Sequence, residues 1–164
     1  MLTRIGQLVA MSSILFASTL TGQQETTTAG AKCASPEIVN DSKYSPGQVW
    51  SYKNRTGESS STITILRVES LPKVGIIVHV RIDGIKLKNC SGGPSPNTIQ
   101  DAPFAKDAID RSVVTLIKDR QQIPEYEAGY SDWKAHCGGV YAITVTEMLK
   151  ADEATFNNGT NCSE

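Results

Sequence analysis

His79, Arg81, Lys86 and Lys88 come closest in this chain to residues whose types and spacing could form a site. They alternate through residues 76–88 (IIVHVRIDGIKLK), where Asp83-Gly84 separates two alternating apolar runs, the signature of a two-residue type I′ hairpin. With that loop Ile82 faces Ile85 and Val80 faces Leu87, and with Val78 and Ile76 they make one apolar face. The opposite face then carries Arg81 across from Lys86 and His79 across from Lys88. Like charges directly opposed on a hairpin cost stability, so this face calls for a counter-charge. Asp83 or Glu69 would supply it within the chain and leave a solvated, self-paired surface; an anionic group on another molecule would make the four residues a partner-binding surface. His79 is also the residue best suited to act as an acid or base.

Other constellations carry less. His136 next to Cys137 suggests a thiol and its base, but helix neighbours point about 100° apart, and a disulfide at Cys137 would remove the nucleophile. Ser91-Gly92-Gly93 offers backbone amides to an anion, yet neither a P-loop lysine nor a helix start follows, so a plain turn is expected. The chain contains no G-x-S-x-G, H-E-x-x-H or G-x-x-x-x-G-K motif, so no catalytic residue is assigned, no cofactor is expected, and the question of catalysis stays open with the balance against it. Cysteine spacings lack C-x-x-C or a paired zinc knuckle, and two histidines add little, so no metal is expected. Trp50, Tyr52, Tyr126, Tyr130 and Trp133 could line a ligand groove, but aromatics at these spacings more often build core. Asn40, Asn54, Asn89, Asn158 and Asn161 each open an N-x-[ST] triplet, which matters only in a glycosylating host.

The N-terminus sets the compartment in which these side chains would work. Arg4 precedes an apolar, small-residue run over residues 5–20 (IGQLVAMSSILFASTL), with no acidic residue before Glu25. This is the build of a secretory leader, and the run is interrupted and too short for a membrane span of roughly 20 apolar residues. Residues 1–22 are expected to be a cleaved signal peptide, with cleavage after Ala31 the alternative, placing the protein in the periplasm or outside the cell and off the membrane thereafter. Residues 23–43 then form a flexible lead-in, 44–156 a single domain and 157–164 a polar tail. A formal net charge of −1 provides no basic field for nucleic acid.

In an oxidising compartment the four cysteines should form two disulfides. Tyr126, Tyr130, Trp133 and Cys137 fall on one helical stripe, so Cys137 should face inward, and Cys90 follows a strand. Cys90–Cys137 would tie sheet to helix and Cys33–Cys162 would join the two ends.

Strands are expected over residues 48–53, 60–69, 76–82 and 85–89, and the shifted apolar phase of 60–69 suggests a bulge. Helices follow over 106–119, with Ile109, Val113, Leu116 and Ile117 on one face, and over 125–137, closed by Gly138-Gly139 as a left-handed cap. Residues 140–145 read as a fifth strand, and Thr144 with Glu147 as a capping box for a last short helix. The expected class is α+β: an antiparallel sheet of four to five strands, beginning as an N-terminal meander, packed against two to three C-terminal helices.

The ordered pieces Gly47-Gln48-Val49-Trp50-Ser51-Tyr52, Gly57-Glu58, Ser61-Thr62, residues 77–80, Asp83-Gly84, Pro103-Phe104 and Gly129-Tyr130-x-x-Trp133 resemble a group of small bacterial proteins of unknown function that open with a Gly-Gln-Val-Trp-x-Tyr strand. The resemblance implies an α+β fold and supplies no catalytic residues; relative to that group, this chain looks like an exported, disulfide-carrying version. The expected function is an exported, non-enzymatic protein-binding domain of the inhibitor or immunity type. The alternatives are a small envelope hydrolase-like enzyme using His79, and a structural envelope protein with no ligand.

Overall fold

Backbone pairing starts within the expected lead-in. The computed structural model describes residues 33–158, so the leader, its cleavage site and Cys162 lie outside the described residues. β1 (Glu37–Ile38) pairs with Ser70 and Glu69, and the Asp41 carboxylate accepts the amides of Lys43 and Tyr44, so residues 37–43 are structured rather than a free linker. Then come β2 (Val49–Tyr52), β3 (Thr62–Leu71), β4 (Gly75–Asp83), β5 (Thr98–Ala105), α1 (Lys106–Ser112), β6 (Val113–Lys118), α2 (Glu127–Ala135) and α3 (Val145–Phe156). The strands form one antiparallel sheet in the order β5-β4-β3-β2-β6, with β1 beside β3. The α+β class is as expected, with six strands in place of four or five.

Strand alternation gives the sheet two unlike faces. One carries Ile63, Ile65, Val68, Val78, Val80, Ile82, Ala102 and Phe104 into a core closed by Ala108 and Ile109 of α1 and Val145, Met148 and Leu149 of α3. Each fully buried aliphatic or aromatic side chain here contributes on the order of 1.5–3 kcal/mol. The phase shift in 60–69 is indeed a register slip, between Ile65 and Arg67, which keeps Ile65 and Val68 on the same side. The capping box also forms, with the Thr144 amide donating to Glu147 and the Glu147 amide to the Thr144 hydroxyl.

Other expectations are corrected. Residues 76–88 do not form a hairpin: β4 pairs with β3 and β5, and a type I′ turn needs positive φ at both central residues, whereas only Gly84 has it. Ile85 and Leu87 nonetheless join Val78, Val80 and Ile82 in one core, so the alternation was real and only the partner differs. Helix 106–119 stops at Ser112, whose hydroxyl donates to the Ala108 carbonyl and accepts the Val145 amide. The Val-Val-Thr-Leu-Ile run beyond it is mostly β-branched and completes the free edge of β2 as β6. Residues 140–145 contribute one bridge, Phe104 to Tyr141, because Pro103 has no amide to continue a ladder along that edge of β5.

The expected cysteine pairing is overturned at both bonds. Cys33 joins Cys137, with Cα atoms 5.1 Å apart. Cys137 leaves the helical stripe by adopting φ 50°, while β1 brings Cys33 along β3 toward it. Cys90 is also disulfide-bonded, and its amide donates to Asn157 just past α3, a different part of the fold from the end of α2. Closing 104 residues of sequence, the Cys33–Cys137 bond stabilises the fold by at most about 5 kcal/mol in the loop-entropy account. Non-reducing peptide mapping is expected to recover Cys33 joined to Cys137; a peptide linking Cys90 to Cys137 would contradict this structure.

Asp110 anchors the chain entering the sheet to α1, accepting from Lys43 (2.8 Å), Tyr44 (2.7 Å) and Lys106 (2.7 Å). Burial tends to raise its pKa, but the bonds from Lys106, Lys43 and Tyr44 outweigh that and bring it down to about 2. Its contribution to stability is therefore present above the usual carboxylate value and lost as pH falls toward about 2. Thermal unfolding followed between pH 5 and 2, on the order of the window for such a group, is expected to show a falling Tm whose slope is reduced in Asp110→Asn.

Candidate functional site

The second face of the sheet holds a charged network centred on His79. In register, His79 sits between Arg67 of β3 and Pro103 of β5, so Glu69 and Asp101 lie diagonally across from it on either neighbour. Nε2 lies 3.1 Å from Glu69 Oε1 and Nδ1 3.0 Å from Asp101 Oδ1. Both ring nitrogens are therefore within hydrogen-bond distance of a carboxyl oxygen. Arg67 Nε donates to Glu69 Oε2 at 2.6 Å and the Tyr130 hydroxyl to the same oxygen at 3.0 Å. Arg67, His79 and two carboxyl groups thus meet in a site where His79 and Glu69 are both 0% exposed.

α2 covers this network. Tyr130 and Trp133 set their rings edge-on to His79, with centroids at 5.3 and 4.8 Å, and Arg67 stacks over Tyr130 at 4.7 Å. Burial, reinforced by the Glu69 carboxylate, raises the pKa of Tyr130, so its phenol stays a donor. Gly138 makes room for the cover, since a Cβ there would meet Trp133 Cδ1 at 2.0 Å. With both ring nitrogens engaged and the ring fully buried, His79 presents no free lone pair to a substrate in this arrangement.

The four residues expected as one surface separate. Arg81 shares the His79 face of the sheet and is matched by Asp83, one of the two internal partners foreseen, at 2.9 Å to each carboxylate oxygen. Lys86 and Lys88 lie on the segment after Gly84, exposed, and it is their backbone amides that are held, by Glu58 at 2.6 Å and Glu153 at 2.9 Å. Arg55 bridges those two carboxylates, and its bond to Glu58 raises its own pKa. Burial pushes the Glu58 pKa up, but Arg55 and the Lys86 amide outweigh it and lower the value. His136 is exposed and bonded to Asp132, and Cys137 is in a disulfide, so no thiol dyad exists. Gly92 lies in a turn closed by its amide on the Asn89 carbonyl. The aromatics split between faces: Tyr52 and Trp50 belong to the core, Tyr130 and Trp133 to the cover. Among the described residues no cluster of His, Cys, Asp or Glu is arranged to hold a metal ion, and no helix is long and apolar enough to cross a membrane.

One feature absent from the helical reading of residues 113–117 is an open sheet edge. β6 pairs with β2 alone among the described strands, and it exposes Val114 (61%), Leu116 (39%) and Ile117 (49%). Val114 and Ile117 are the extra residues at two register slips against β2, which turns them outward. Density of β-branched residues was the signal that could have marked this strand. No family model, curated protein or solved structure matches the chain.

Removing one member of a buried charge network leaves its partners uncompensated, so His79→Ala is expected to cost about 3–5 kcal/mol. Lys86→Ala, on the exposed segment, should stay within about 0.5 kcal/mol. Urea titrations of the two variants beside the parent chain measure both.

Proposed function

We propose that this chain is an exported, non-enzymatic protein-binding domain that meets its partner along β6. The open edge with its exposed Val114, Leu116 and Ile117 carries this reading, because such an edge offers a strand-pairing template and apolar contacts together. Lys118 and the 94% exposed Arg120 just beyond it suit a partner segment with an acidic flank. The disulfide pair is compatible with an oxidising compartment, and the leader-like residues 1–22 support secretion or periplasmic residence. A partner to be neutralised, as by an inhibitor or immunity protein, fits a small domain held by disulfides. On this reading the chain is an exported member of the group that opens with Gly-Gln-Val-Trp-x-Tyr. The enzyme alternative requires His79 to reach a substrate, and its engagement by Glu69 and Asp101 supports binding over catalysis.

Affinity capture with the mature domain, followed by mass spectrometry, is expected to retain one stoichiometric protein. A Val114→Glu/Ile117→Glu variant with unchanged far-UV circular dichroism should bind it at least about tenfold more weakly, the scale of a modest hot spot. Equal binding by the variant removes the β6 assignment, and an empty capture together with turnover in a hydrolase screen removes the binding function.

A further inference from the structure

We propose that the Cys33–Cys137 disulfide is a redox latch that keeps α2 seated over the Glu69–His79–Asp101 network. Away from the β6 edge, little else holds the two elements that the bond connects. None of the residues of α2 is fully buried, and both residues of β1 are exposed, so neither element contributes to the apolar core. α2 meets the sheet through polar and ring contacts, chiefly the Tyr130 hydroxyl on Glu69 and the rings of Tyr130 and Trp133 against His79. An exposed connection, residues 119–123, leads toward it, and a second passes from His136 to Thr144 before α3. Elements of this kind open at free energies well below that of the whole fold. The disulfide adds a covalent tie two residues beyond the end of α2.

The bond is placed to be reached. Cys137 is exposed, and a cavity of about 300 Å³ lined by Cys33, Pro36, Leu71, Val74, Trp133 and Cys137 runs beside it. Cys137 also holds φ 50°, a left-handed conformation that a non-glycine residue adopts at some cost and is freer to leave once the tie is cut. A dithiol reductant supplies the chemistry: one thiolate attacks a sulfur of the bond and expels the other as a thiolate. Its second thiol then resolves the mixed disulfide. Two cysteine thiols appear on the chain, the reductant becomes its own disulfide, and two electrons and two protons are transferred. Released, α2 lifts from the second face and brings His79, Glu69 and Asp101 into contact with solvent while the core beneath β3, β4 and β5 stays packed. Exchange with a disulfide oxidant, which takes up the two electrons and two protons and leaves as its dithiol, closes it again.

The chain's two histidines provide the readout, since His136 is 75% exposed and His79 0%. Acylation with diethyl pyrocarbonate, mapped by mass spectrometry, is expected to modify His136 alone in the oxidised chain and both histidines after treatment with a dithiol. Because that treatment also reaches the bond at Cys90, a Cys33→Ser/Cys137→Ser variant isolates the latch and should behave like the reduced chain. Hydrogen exchange on the same samples should show protection lost in α2 and kept in β3, β4 and β5. The proposal is overturned if His79 stays unreactive in both the reduced chain and the variant. Reactivity of His79 in the oxidised chain overturns it too, as does simultaneous loss of protection in the central strands, which would make the bond a staple of the whole fold.

Discussion

Because β4 is hydrogen-bonded along both edges, to β3 and to β5, its alternate residues must serve two different environments. Val78, Val80 and Ile82 enter the core with α1 and α3, while His79 and Arg81 point to the opposite face. A histidine in a strand bonded on both edges can be fully buried only if its neighbours supply acceptors, and the flanking strands do so at their diagonal positions, Glu69 and Asp101. Two register slips, after Ile65 and after Val80, adjust the phase of the strands so that these polar residues meet without taking apolar ones out of the core.

The two faces are consequently held by different physics. On the core side the free energy comes from apolar area removed from water, and the contributors are large: Phe104, Ile109, Met148 and Leu149 are all fully buried. On the other side a buried polar network, the ring contacts of Tyr130 and Trp133 and one disulfide substitute for that area. Charged networks of this kind contribute little net stability when complete and cost heavily when broken, which makes the second face specific in geometry yet weak in reserve. A covalent tie at the end of α2 is the natural complement to such a face.

The remaining polar clusters also work on backbone. Glu58, Glu153 and Asn157 accept the amides of Lys86, Lys88 and Cys90, so the segment after Gly84 is fixed by side-chain oxygens on one side and by the carbonyls of Pro96 and Asn97 on the other. That double engagement leaves the lysine side chains free at the surface without concentrating them into a site. The apolar surface that is concentrated lies at β6, where two bulges turn Val114 and Ile117 outward. Bulges ordinarily protect an edge from indiscriminate pairing.

Periodicity read along the chain was sufficient for the alternation of residues 76–88, the bulge in residues 60–69, the Thr144–Glu147 capping box and the α+β class, because each depends on neighbours within a turn or two of sequence. It also placed His79 and Arg81 on one face and named Asp83 and Glu69 as the acids near them. It failed where two elements had to choose each other. The Asp83-Gly84 pair looked like a hairpin because the sequence on both sides alternates, but whether two alternating segments pair depends on which other strands compete for the same edge, and β5 won. Residues 113–117 continued the helical stripe of 106–119, but the free edge of β2 took them as a strand. Cys137 left its stripe for Cys33 because the end of α2 and the β1 strap converge in space, over a separation of 104 residues. Local pattern thus determined which side chains go inward; only the tertiary structure decided what they meet there, since long-range pairing is a competition among all the surfaces of the chain at once.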